Sequence, residues 1–334
     1  MLKCLAAGVF VTLVASSSAF AQGPMSPQPT KETYPMEAML AKRAALIAQC
    51  QPKHMLPKAE ALPIHVTTWG DKGPAVLFIH GGVQGGLGGG PSNFAGQKPL
   101  SAGGWLLELA DRPGFGQSPS RGPDDQESDA IWIAEKLGDG SHLVGHSFGG
   151  AEALLAAARR PEAVRSLILI EPALQPMLLT DPGSLKNPDA QAALQVVSRF
   201  FMTAQTPAEF ATLFAGSLGK GEDGGPNPSL AAIEESPEKA ATLGCAVLQA
   251  QTASPAAMRQ AAEVVAQAHI PVLVISGGYS PAQDASAEIV AKLTHGRHVI
   301  VSSPNHFVQQ MNAKEFNRVV NDFMSKADHE RAKP

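Results

Sequence analysis

The chain has 334 residues, a formal net charge of −4, 17% charged residues and 5% aromatic ones. With no cluster of Lys and Arg, that balance excludes the electrostatic footprint of a nucleic-acid or anionic-membrane partner, and so few rings leave no platform for stacking bases. The length suits one large domain with an insertion and a sizeable buried core.

The first residues read as an export signal. Lys3 supplies a positive start, residues 5–14 an apolar stretch, and Ala19-Phe20-Ala21 a small-residue cleavage pattern. The expected product begins at Gln22 and is periplasmic or secreted. The apolar stretch is too short to span a bilayer comfortably, and nothing later in the sequence reaches that length. Residues 22–61 form an N-terminal arm, with a polar, proline-rich lead-in and then a helix expected over 35–50. Cys4 leaves with the signal, so Cys50 and Cys245 remain. In an oxidising compartment they are either a disulfide tying the arm to the middle of the chain or two buried reduced thiols. With no Cys/His cluster nearby, they make no metal site.

A strand is expected over 64–69, closed by the turn Gly70-Asp71-Lys72-Gly73-Pro74. Residues 75–79 are continuously apolar, as in a strand covered on both faces, and run directly into His80-Gly81-Gly82. Residues 84–104 are rich in glycine but lack phosphate-cradling spacing, and read as a long loop. A strand over 105–110 leads into Asp111-Arg112-Pro113-Gly114-Phe115-Gly116, a tight loop expected to be braced by an Asp–Arg interaction. Next comes a helix over 124–137, with Asp124 and Asp125 favourably placed at its positive end.

Residues 142–145 end a buried strand, Gly145-His146-Ser147-Phe148-Gly149 makes a turn, and the Ala- and Leu-rich residues 151–160 form a helix. A strand over 164–170 ends at Glu171-Pro172. Residues 172–269 change character, with Pro/Gly breaks separating amphipathic helices near 190–202, 208–218, 237–251 and 255–268. Then come a strand over 271–275, a helix over 285–293, a strand over 297–301, the loop holding Asn305-His306, and a helix over 313–324.

G-x-S-x-G between a strand and a helix resembles the nucleophile elbow of the α/β-hydrolases. With His80-Gly81-Gly82, the Asp111–Gly116 loop and Asn305-His306 in the same order, the chain resembles that superfamily over about residues 64–324. The resemblance implies an α/β fold: a mostly parallel central sheet flanked by helices, with residues 62–171 and 270–327 as core and 172–269 as an inserted helical cap. It implies Ser147 as nucleophile and His306 as base, since His306 alone follows the last strand and precedes the last helix. It also implies an oxyanion hole from the backbone N–H groups of Gly82 and Phe148, each such donor being worth about 10²–10³ in rate. No metal or organic cofactor is called for.

The acid has two candidates. Many members place an aspartate after the strand corresponding to 271–275, which points to Asp284, but the intervening loop delays Asp284 almost to the next helix, where it can serve as an N-cap. Glu171 stands at the end of the strand after the elbow, where some esterases and lactonases of the superfamily carry a glutamate. A carboxylate closing a run of buried Leu and Ile is costly unless paired, and the reading favours Glu171. The expected function is an exported serine hydrolase of a small apolar carboxylic ester or lactone. Amide or C–C bond hydrolysis, perhydrolysis, and a non-catalytic binding protein on the same scaffold are the alternatives. Leu178, Leu179, Phe200, Phe201, Met202, Phe210 and Phe214 are either an apolar substrate pocket or ordinary cap core.

Overall fold

The apolar runs assemble into one seven-stranded sheet in a computed structural model that describes residues 36–52, 62–86, 88–234 and 236–333. The export signal and the proline-rich lead-in lie outside the described residues. The strands are β1 (Val66–Trp69), β2 (Ala75–Ile79), β3 (Leu106–Ala110), β4 (Ser141–His146), β5 (Val164–Ile170), β6 (Val272–Ser276) and β7 (Arg297–Ile300). Their spatial order is β1-β3-β2-β4-β5-β6-β7, with β1 antiparallel to β3 and every other pair parallel.

Helices on both faces explain why the central strands are apolar without alternation. Along β2, Leu77 and Ile79 enter one core and Val76 and Phe78 the other; β6 divides the same way, Val272 and Val274 against Leu273 and Ile275. The first core is closed by the helices Gln126–Lys136, Ser147–Arg159, Pro255–Gln267 and Pro281–Leu293, the second by Ala313–Arg331 with Phe94 and Leu100. Each of these fully buried aliphatic or Phe side chains contributes roughly 1.5–3 kcal/mol.

Two stretches differ from expectation. The glycine-rich segment is no open loop but three short helical pieces, Gly90–Asn93, Ala95–Gln97 and Pro99–Ala102. Phe94 and Leu100 anchor it in the second core, and the Asn93 amide donates to the carbonyls of Gly88 and Gly89. Between β5 and β6, the helix Pro228–Glu234 is hidden in the sequence behind a Pro/Gly break; Asn227 starts it by accepting the N–H groups of Ser229 and Leu230. Four other helices of the insertion begin with proline after a capping Asn187, Thr206, Ser236 or Ser254.

The N-terminal arm is part of the cap. Its helix, Met36–Ile47, brings Leu46 and Cys50 onto Phe200, Phe201, Phe210 and Leu248, and Phe214 packs against the same cluster. Those phenylalanines are therefore cap core, and Met202 is exposed. Arg43 donates to the carbonyls of Leu248 and Ala250, and Cys50 forms a disulfide with Cys245 across 195 residues. Closing so long a loop removes much of the unfolded chain's freedom. A Cys50→Ser/Cys245→Ser variant should therefore lose about 3–5 kcal/mol of unfolding free energy in denaturant titrations. Reductant should bring the native chain to the same midpoint, and a midpoint indifferent to both would show that the bridge is energetically idle.

Candidate active site

The turn after β4 is built by space and strain. Ser147 opens the helix Ser147–Arg159 with φ 55°, a left-handed conformation that costs an L-residue roughly 1–2 kcal/mol. A side chain on Gly145 would strike the Gly149 carbonyl and Ala153, and one on Gly149 would strike the carbonyls of Ile79 and His80. Only glycine therefore lets the helix start this close to β2 and β4, as the G-x-S-x-G spacing requires. The Ser147 carbonyl accepts the Ala173 N–H at 2.9 Å, which ties the elbow to the segment just past Glu171.

Glu171 and His306 meet. Glu171 is 3% exposed and His306 5%, and His306 Nδ1 lies 2.7 Å from Glu171 Oε2. The carboxylate can only accept, so Nδ1 carries the proton and Nε2 keeps its lone pair. Glu171 also accepts the Gly277 N–H at 2.8 Å and the Tyr279 hydroxyl at 2.8 Å. Asp284 is used elsewhere. It lies in the first turn of Pro281–Leu293, not at its N-cap, and accepts from the Ser276 hydroxyl and the Gly278 N–H. Among the described residues, no hydrogen bond joins Asp284 to His306.

His306 is held from two sides. Its backbone N–H donates to the Leu218 carbonyl in the cap at 2.8 Å, and Asn305 donates to the Lys220 carbonyl. From the sheet, His146 Nε2 lies 3.0 Å from the His306 carbonyl, with the two rings 4.7 Å apart. Burial first, and then the neighbouring His306, hold His146 well below the usual histidine range, so it is a neutral donor next to the elbow serine. Sequence reasoning missed His146 and Tyr279. The only signals were position: His146 precedes Ser147, and Tyr279 lies in the loop between β6 and Asp284.

The expected oxyanion residues flank Ser147. A Cβ on Gly81 would come 2.6 Å from the Ser147 Cβ, so the loop after β2 lies directly against Ser147. Gly82 has φ 82° and open space where a side chain would stand. Arg112 braces both residues: Nη1 donates to the Gly82 carbonyl at 3.1 Å, and the guanidinium lies 4.7 Å over the Phe148 ring. Arg112 is fully buried and pairs with Glu152 at 2.8 Å and Asp124 at 2.9 Å. The expected Asp111–Arg112 pairing is corrected. Asp111 instead accepts from the backbone N–H groups of Gly90 and Gln117 and sits 2.9 Å from His65, because Arg112 turns inward toward Glu152 and Asp124.

Burial drives Glu152 well above the usual carboxylate range against the pull of Arg112, and burial raises Asp129 too. His80 braces the same loop. Its Nε2 accepts the Arg112 N–H, its Nδ1 donates to the Gly81 carbonyl, and burial followed by the Arg112 charge lowers its pKa to about 3. A ring with both nitrogens engaged is a strut and not a base.

The chain's fold has known relatives. Residues 74–312 match the family model of the alpha/beta hydrolase fold. A 2-hydroxy-6-oxo-6-phenylhexa-2,4-dienoate hydrolase of Burkholderia cepacia is 36% identical over 120 residues, covering 33% of this chain and 40% of its own. The lipase LipV of Mycobacterium tuberculosis is 36% identical over 119 residues, 34% of this chain and 43% of its own. The chain thus spans about two fifths of the length of these curated relatives. A thermophilic esterase from Thermogutta terrifontis shares the fold, with a TM-score of 0.54 and 18% identity over 83% of this chain and 99% of its own.

Proposed function

Since the chain belongs to the α/β-hydrolase fold family, we propose that it is an exported serine hydrolase that cleaves a carboxylic ester or lactone. The observation that carries the reading is the buried Glu171–His306 hydrogen bond of 2.7 Å, in the same chain as a serine held at φ 55° in the turn after β4. His306 Nε2 takes the Ser147 proton as Oγ attacks the carbonyl carbon, and Glu171 stabilises the imidazolium that forms. The N–H groups of Gly82 and Phe148 receive the oxyanion. The alcohol leaves with the proton from His306, and water, activated by the same base, releases the acid from the acyl-enzyme.

Export is supported by the N-terminal signal pattern and by the Cys50–Cys245 disulfide, which an oxidising compartment preserves. Likeness to both a lipase and a hydrolase of a dienoate supports a second reading, cleavage of a C–C bond next to a carbonyl by the same residues.

The test is pre-steady-state hydrolysis of p-nitrophenyl esters, acetate to decanoate. A burst of one p-nitrophenolate per chain, followed by slower turnover, is expected from an acyl-enzyme. Slow turnover of every ester, with fast cleavage of a 2-hydroxy-6-oxo-dienoate, would move the assignment to C–C hydrolysis. Tight binding without turnover of either would leave a binding protein.

A further inference from the structure

The loop after β6 completes the environment of Glu171. Oε1 accepts the Gly277 N–H, whereas Oε2 takes two donors, His306 Nδ1–H at 2.7 Å and the Tyr279 hydroxyl at 2.8 Å. The phenol can only donate to this oxygen, because the carboxylate has no proton to give. Burial first, and then the Glu171 charge, push the Tyr279 hydroxyl far above its ordinary range, so it stays protonated. Four residues past Tyr279, Gln283 Oε1 accepts from the Gln175 amide at 3.0 Å. Gln175 opens the turn Gln175–Thr180 at the start of the cap. The segment after β6 is thus tied both to Glu171 and to the start of the cap. Asp284 keeps the loop in shape through Ser276 and Gly278, with His298 Nε2 2.7 Å from the Ser276 hydroxyl.

We propose that Tyr279 is a positioning residue for the acid–base pair, sharing Glu171 Oε2 with His306 so that it both aims the carboxylate and moderates its hold on the imidazolium. The proposal rests on the reading of Glu171 and His306 as that pair. Two donors on one oxygen divide its charge. Without the phenol, Oε2 holds its charge for His306 alone and stabilises the imidazolium more strongly. The base then stays protonated to higher pH, and the acid limb of kcat/KM moves up. Losing one anchor also loosens the carboxylate, which lowers kcat without touching substrate binding. The other titratable groups facing the pair are His146 from β4, which is neutral, and Asp284 and His298, both engaged with Ser276. All three remain in place when Tyr279 changes.

The sequence permits a one-atom test, because its two tyrosines are Tyr34 and Tyr279. In a Tyr34→Phe background, 3-fluorotyrosine enters at position 279 alone and makes that phenol a stronger donor. The measurement is the pH profile of p-nitrophenyl acetate hydrolysis, with the His306 Nδ1 proton followed by NMR as a readout that needs no substrate.

Tyr279→Phe should lower kcat about tenfold, change KM less than twofold and move the acid limb up by about 0.5–1 pH unit. The fluorinated chain should move it down, and a Glu171→Gln background should erase the effect of Tyr279→Phe on the profile. An unmoved acid limb, or the same direction of movement in both, would overturn the proposal. If Tyr279→Phe does not fold, the fluorinated chain decides by itself. Near-native turnover by Glu171→Gln would instead remove the acid assignment beneath it, whereas an inactive Glu171→Gln with an indifferent position 279 refutes this proposal alone.

Discussion

Ser147→Ala is expected to lower kcat for p-nitrophenyl esters by about 10⁶, the scale seen when the nucleophile of a serine hydrolase is removed. The variant should fold. The Ser147 carbonyl that accepts the Ala173 N–H is retained, and alanine fills the same space against Gly81. What remains is whatever rate the oxyanion donors and binding supply on their own, about 10³–10⁴ over water. A control separates the chemistry from the backbone. Ser147→Gly should be just as inactive yet more stable by about 1 kcal/mol, since glycine takes φ 55° without penalty. An inactive, stabilised Ser147→Gly would show strain held for function. Ester hydrolysis within tenfold of the native rate in Ser147→Ala would sink the serine mechanism.

Much of this site is legible in the amino-acid sequence, and the reason is local. The elbow is a short-range steric problem, and Gly145, Ser147 and Gly149 state its solution within five residues. The apolar runs of β2, β4, β5 and β6 announce a sheet covered on both faces, because buried parallel strands need no polar side. The ambiguous parts depend on long-range partners. Arg112 and Asp111 are adjacent in the chain, which suggests a pair, but Arg112 finds Glu152, on the helix after the elbow, and Asp124, just ahead of the helix Gln126–Lys136, and no local pattern connects either to it. The cap phenylalanines have helical spacing whether they face a substrate or a core; the arm helix and Cys50 decide for core. The glycine-rich segment reads as a loop because glycine content reports freedom, not the anchors Phe94 and Leu100 that remove it. Tyr279 is invisible in the sequence for the same reason, since its meaning lies in a carboxylate on another strand.

Glu171→Gln is expected to lower kcat/KM by about 10⁴ with little change in stability, whereas Asp284→Asn should cost less than tenfold. Glutamine keeps the volume, and its one oxygen can stay on the Gly277 N–H at the Oε1 position. That places its amide nitrogen, a donor, near His306 Nδ1, which in turn must become the acceptor. The proton moves to Nε2, and the base is lost without any atom being displaced far. Asp284→Asn keeps an oxygen for Ser276 and Gly278, so it can loosen the loop by about 1 kcal/mol but does not reach the histidine tautomer. The two carboxylates thus separate by which proton each one controls. Both measurements belong at several pH values, because a tautomer defect persists at every pH where the imidazole is neutral, and a loop defect that acts through Tyr279 shifts the acid limb instead. If Asp284→Asn were the inactive variant and Glu171→Gln the mild one, the acid would lie after β6 as in many members of the superfamily, and the 2.7 Å contact of Glu171 with His306 would be a structural bond only.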